Sequence, residues 1–253
     1  MTETEEARAP SGGPADALVI AGLVPMSTVD WPDHLSATVF TQGCPWNCFY
    51  CHNQALIPTR TPGAVAWQEV RALLGRRRGL LDGVVFTGGE ALRQDALADA
   101  AAEVRAAGFA VGLHTAGPYP RRLRDMVERG LVDWVGLDIK ALPEHYAQVV
   151  GRPNSAPKAW QCLHVLLEAA ADGGPDFEVR TTVVPGDVTA DDAVEVARRV
   201  HEAGARVYAL QQARGEGTTG RFAVVAPGWD AACERMAERI EALGWDRFTY
   251  RPA

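Results

Sequence analysis

From Ser36 onward the chain alternates short β-rich runs with helical stretches, and this alternation restricts the fold more than any other feature. Residues 36–40, 83–87, 109–113, 133–138, 177–184 and 205–210 read as strands. Residues 67–74, 91–107 and 119–129 read as helices by their apolar spacing. So do the face marked by Trp160, Leu163, Leu167 and Ala170 and the stretch carrying Val194, Ala197 and Val200. Gly108 reads as the stop of the second helix, and Thr189 with Asp192 as an N-terminal cap. A last amphipathic helix is expected over residues 229–243. Repeated strand–helix units imply a parallel sheet with helices outside it. About six units are visible, fewer than the eight of a closed barrel. The expected architecture is therefore a partial, open (β/α)6-type TIM-like barrel in a single α/β domain. A flat doubly wound sheet has the same periodicity.

With 253 residues and 47% hydrophobic side chains, one large core is feasible. Residues 1–15 are acidic and rich in Gly and Pro, and are expected to form a disordered tail before a domain spanning 16–253. This start has neither the basic residues nor the apolar run of a signal peptide. No run suits a membrane span. Net charge is −7, which argues against nucleic acid as a partner. A cytoplasmic location is expected.

Five cysteines are present, and three of them fall close together in Cys44-Pro-Trp-Asn-Cys48-Phe-Tyr-Cys51. An odd count with one tight group reads as a metal site in a reducing compartment, not a disulfide framework. The motif follows the first of these strands, so it lies at that strand's C-terminal end, where barrels of this type carry chemistry. Thiolates at this spacing select zinc or iron–sulfur. Zinc would need His52 as a fourth ligand, awkwardly adjacent to Cys51. Three thiolates on a cubane would leave one iron open to a small molecule. Cys162 and Cys233 sit on apolar helix faces and read as core thiols.

Cys44-x-x-x-Cys48-x-x-Cys51, with Tyr50 before the third Cys, resembles the radical S-adenosylmethionine superfamily motif. The blocks at residues 22–32, Phe40-Thr-Gln-Gly-Cys44, Cys51-His-Asn53, Phe86-Thr-Gly-Gly-Glu90 and Leu137-Asp-Ile-Lys140 resemble those of glycyl-radical-enzyme activases, in the same order. The resemblance is strongest to activating proteins of anaerobic ribonucleoside-triphosphate reductase. It implies a [4Fe–4S] cluster on Cys44, Cys48 and Cys51. It also implies a pocket for S-adenosylmethionine formed by Tyr50, His52, Gly88, Gly89, Glu90, Asp138 and Lys140. A glycyl radical enzyme would be the partner, and flavodoxin or ferredoxin the reductant. A radical enzyme acting on a small molecule and a non-catalytic zinc protein are the alternatives.

Other positions are less telling. Glu90 also fits a helix start, and Asp138 with Lys140 an ordinary ion pair. Arg180 reads equally as a carboxylate holder or a core-edge ion pair. His114 stands where some related activases carry Asp at a cation site, and no cation is predicted there. Asp33 stands where the family usually has Gly, so a local difference in that turn is expected. The Gly-rich residues 214–220 read as a rim loop or a linker.

Overall fold

The computed structural model describes residues 12–215, 218, 222 and 225–253. Among these residues, eight strands form one sheet in sequence order. They are β1 (Ile20–Ser27), β2 (Ser36–Thr41), β3 (Gly83–Gly88), β4 (Ala110–Thr115), β5 (Trp134–Asp138), β6 (Asp176–Val183), β7 (Val207–Gln212) and β8 (Arg247–Arg251). Strand β1 runs antiparallel to β2, and every later pairing is parallel. Strands β1 and β8 are the two edges, so the barrel is open, as expected.

The helices are α1 (Trp67–Arg76), α2 (Leu97–Ala106), α3 (Pro120–Glu128), α4 (Tyr146–Val150), α5 (Ala156–Ala171), α6 (Val188–Ala203) and α7 (Trp229–Glu241). Strand residues of one parity, including Val84, Phe86, Val111, Leu113, Val135, Leu137 and Val179, join the main core with the helices. Side chains alternate across a strand, so the other parity points inward. There Trp31, Val85 and Trp134 form a separate apolar floor. Trp31 stacks on Trp134 with ring centroids 5.7 Å apart. Gly83 and Gly112 make room for it, since a Cβ on either would lie 2.9 Å from its ring.

Several expectations need correction. The helix read over 91–107 is broken: Ala91–Arg93 forms a 3-10 turn, Gln94 is extended, and α2 starts at Leu97. Gln94 leaves the helix because its side chain donates to the Gln42 carbonyl at 2.8 Å. Thr189 and Asp192 do not cap α6. Asp187 does, accepting from the Thr189 N–H at 2.9 Å, while Asp192 accepts from the Leu142 N–H. Residues 1–11 of the expected tail lie outside the described residues. Its end is packed: Pro14–Ala17 forms a 3-10 turn with Ala15 fully buried.

Strands β1 and β8 and the short α4 went unread. Strand β1 carries Gly22 and Pro25 and has two register irregularities, which hide its period. An edge strand tolerates that proline because one side of its ladder is unpaired. Asp33 takes φ 62°, so the turn keeps a glycine-like backbone, and its carboxylate pairs with Arg247 at the start of β8.

Candidate cofactor site

The cysteine loop leaves β2 at Gln42 and is fixed mainly by backbone. Gly43 N–H donates to Leu56 and Cys44 N–H to Ile57, at 2.8 and 3.0 Å. The Gln42 amide donates to the Ala55 and Pro58 carbonyls, at 3.2 and 2.8 Å. From the far side, the N–H groups of Asn47 and Phe49 donate to Val150 and Val149 at the end of α4. The loop is thus held by bonds that leave its three thiols unused. Gln42 and Gln94 are positioning residues that no metal-ligand pattern would reveal.

Gly88 and Gly89 close β3 against this loop. Gly88 has φ 109°, a conformation that favours glycine. A Cβ on Gly89 would fall 2.5 Å from the Gly43 oxygen and 2.7 Å from the Leu56 oxygen. The close approach Gly89 permits is therefore to the cysteine loop itself, while Gly88 lies against Phe40 and Thr41 at the end of β2. The next N–H, that of Glu90, donates to Gly43 O at 3.0 Å.

Glu90 is 1% exposed. Its carboxylate accepts from Leu92 N–H at 3.2 Å, Thr115 Oγ1 at 2.8 Å and Ala116 N–H at 3.0 Å. All three donors are neutral, and among the described residues no Lys or Arg pairs with it. Burial pushes its pKa up to about 7, against the pull of these hydrogen bonds. A carboxylate so placed has capacity left for a cationic ligand group.

Across the barrel mouth stands a second charged set. Lys140 Nζ lies 3.0 Å from Asp138 Oδ2 and 5.4 Å from the Tyr50 ring centroid. Arg180 Nε lies 3.3 Å from Asp138 Oδ1, and Arg180 Nη2 donates to Gly136 O at 2.9 Å. Gly136 is required here, because a Cβ would collide with that guanidinium. Burial would raise the Asp138 carboxyl, but Lys140 and Arg180 outweigh it and hold it below the usual range. Burial would lower Lys140, yet Asp138 and the Tyr50 and Cys48 groups hold it well above its ordinary value. Arg180 is thus an ion-pair partner of Asp138.

His114 Nε2 donates to the Asp30 carbonyl at 2.7 Å, which fixes the proton on that nitrogen. Arg180 Nη1 lies 3.3 Å from the same atom. Burial and the Arg180 charge push the imidazole down to about 3, so it is neutral at physiological pH.

Cys48 and Tyr50 are buried, Cys44 and Cys51 are half-buried, and His52 is exposed. Burial first, then Glu90, raises Cys44 to about 12. Burial raises Cys48 to about 11 despite Lys140. These thiols are protonated until a metal group replaces their protons. Tyr50 Oη is buried and meets no hydrogen-bond partner among the described residues. Among the described residues, no three His, Cys, Asp or Glu side chains are gathered to hold a single metal ion. Three soft thiols on a backbone-anchored loop match iron–sulfur chemistry.

Of the remaining sequence candidates, Cys162 and Cys233 are fully buried, as read. Of residues 214–220, positions 216, 217, 219 and 220 lie outside the described residues. Phe222, just beyond, packs edge-on against Phe49 of the cysteine loop at 5.7 Å.

The Radical SAM superfamily model matches residues 38–200, more than half of the chain. A protein of Methanocaldococcus jannaschii, provisionally named a glycyl-radical enzyme activating enzyme, is 27% identical over 198 residues. The match covers 77% of this chain and 79% of that one. A second protein of that organism with the same provisional name is 24% identical, covering 64% of this chain and 61% of its own. Among solved structures, Streptococcus suis SuiB bound to S-adenosylmethionine superposes with a TM-score of 0.60 at 9% identity. It covers 83% of this chain and 48% of SuiB. QueE from Escherichia coli gives a TM-score of 0.50 at 16% identity, covering 91% and 92%. At such identities the structures speak for the fold alone, while the family model spans the cysteine loop, the Gly88–Gly89–Glu90 turn and the Asp138–Lys140 pair. The chain belongs to the radical SAM superfamily.

Proposed function

We propose that this chain is a glycyl-radical-enzyme activase in which Cys44, Cys48 and Cys51 hold a [4Fe–4S] cluster. Tyr50, His52, Gly88, Gly89, Glu90, Asp138 and Lys140 would form the S-adenosylmethionine pocket around it. Held there and reduced, the cluster and S-adenosylmethionine would supply the radical chemistry for hydrogen-atom abstraction from a backbone glycine of the partner. The observation that carries the reading is Glu90: a buried carboxylate with only neutral donors, tied by its own N–H to the cysteine loop. It is matched to the ammonium of the cofactor's methionine end.

The protein's own work is binding, orientation and exclusion of water. Glu90 orients the ammonium. Lys140, steadied by Asp138, presents a fixed positive charge beside Tyr50. Arg180 positions Asp138 and so acts through it. Trp46, packed edge-on against Tyr146 at 5.9 Å, walls the loop from solvent. The provisional names of the two M. jannaschii relatives support a glycyl radical enzyme as partner. The motif resemblance supports an anaerobic ribonucleoside-triphosphate reductase among such enzymes, with flavodoxin or ferredoxin as reductant. The open edge between β1 and β8 suits lateral entry of a polypeptide loop.

Isotope transfer tests the reading. The reconstituted chain is turned over with a reductase polypeptide whose glycines carry deuterium at Cα. Deuterium in the 5′-deoxyadenosine is expected. Unlabelled 5′-deoxyadenosine, formed at the same rate with and without the polypeptide, would overturn the activase reading and favour a small-molecule substrate.

A further inference from the structure

We propose that the cationic surface flanking the Cys44–Pro45 side of the cysteine loop docks an acidic one-electron carrier protein. This rests on the cluster reading above and adds where its electron enters. The chain carries net charge −7, so a cationic cluster stands out against its background. Arg152 Nε donates to the Pro45 carbonyl at 3.0 Å, and Arg93 packs beside Gly43 and Thr59. Arg122 donates to the Arg93 carbonyl at 2.8 Å and lies over the Tyr119 ring at 5.4 Å. Next to Arg122, a cleft of about 400 Å³ opens between the starts of α3 and α5. Pro118, Tyr119 and Pro120 give it an apolar lining, and Arg121, Arg122 and Lys158 give it cations.

Of Arg93, Arg121, Arg122, Arg152 and Lys158, only Arg122 has a carboxylate partner among the described residues, the exposed Asp95. The Tyr119 ring lies under Arg122, Arg122 donates to the Arg93 carbonyl, and Arg93 packs beside Gly43, which links this lining to the cysteine loop. Unpaired cations around an apolar patch favour a protein of opposite charge, by steering its approach and fixing its orientation. The polypeptide substrate needs the inner mouth, where Lys140 and Tyr50 lie. The cationic surface meets the loop through Arg93 at Gly43 and Arg152 at Pro45, and it suits the electron carrier. In the step it serves, the carrier loses one electron and the cluster gains it, and no atoms move.

The test measures binding of flavodoxin, and separately ferredoxin, to the anaerobically reconstituted chain across a salt series. The double variant Arg121→Glu/Lys158→Glu changes two exposed residues outside the pocket. Arg76→Glu/Arg78→Glu, at the far end of α1, is the charge-matched control. The proposal expects Kd to rise at least ~10-fold in the first variant, with a flatter salt dependence, and to stay within ~2-fold in the control. Equal effects in both variants, no effect in either, or no binding of either carrier to the unaltered chain would overturn it. Dithionite-driven 5′-deoxyadenosine formation and iron content are read alongside. Their loss in the unaltered chain would sink the cluster reading, while their retention in the variant shows that it is folded.

Discussion

The two halves of the barrel are held in different ways. Strands β2 to β5 end in short blocks of chemistry-bearing residues whose loops are fixed largely by backbone hydrogen bonds. Strands β6 to β8 add side-chain pairs between distant residues to their parallel ladders. Glu178 of β6, 1% exposed, meets Arg251 of β8 in a two-pronged pair, with both contacts at 2.9 Å. Gln212 of β7 donates to Tyr250 Oη at 2.6 Å. The first half builds a site; the second holds the open wall beside it. Substitutions should therefore separate into losses of chemistry and losses of stability.

The largest expected effect is on the site half. Cys48→Ser should abolish the cluster, with iron and sulfide near zero after reconstitution and no 5′-deoxyadenosine. Iron retained at the unaltered level would break the comparison. Next, Gly89→Ala drives a Cβ into two backbone oxygens of the cysteine loop. It should cost about 3 kcal/mol in denaturant unfolding and lower cluster yield together with stability.

On the wall half, Glu178→Ala strands a partly buried guanidinium and should cost about 3 kcal/mol. Cluster content per folded molecule should stay unchanged, and a fall in it would show that the two halves are coupled.

A pH series sharpens the contrast. Burial pushes the Glu90 carboxyl up to about 7. Below that pH its proton must be released before an ammonium can bind, so S-adenosylmethionine affinity should fall as pH drops through 7. Glu90→Gln should weaken binding and flatten this dependence, as checked by calorimetry. The smallest effect is expected at the barrel's lower rim. Asp33→Gly removes an exposed ion pair to Arg247 but relieves a positive φ, and stability should move by less than about 1 kcal/mol.

The same division explains what the sequence reveals. Cys44, Cys48, Cys51, Glu90 and Lys140 belong to contiguous blocks, because a ligand at a strand end is met by a few consecutive residues. Six of the eight strands were legible for a similar reason: each is a short, buried, β-rich run. Strand β8 was not, because its residues are only half buried and its partners, Glu178 and Gln212, lie far back in the chain. The break at Gln94 was hidden by an Ala-rich stretch with high helix propensity, overridden by one side-chain bond to Gln42. Arg180 is ambiguous in sequence because its partners, Asp138 and the Gly136 carbonyl, lie more than forty residues back in the chain.

The most direct measurement is electron paramagnetic resonance on the anaerobically reconstituted chain, mixed with S-adenosylmethionine, a strong reductant and a polypeptide carrying the glycyl-radical loop of an anaerobic ribonucleotide reductase. A glycine-centred doublet, with 5′-deoxyadenosine formed in matching amount, is the predicted result. Protein with full iron and sulfide content that gives neither the doublet nor 5′-deoxyadenosine would contradict it.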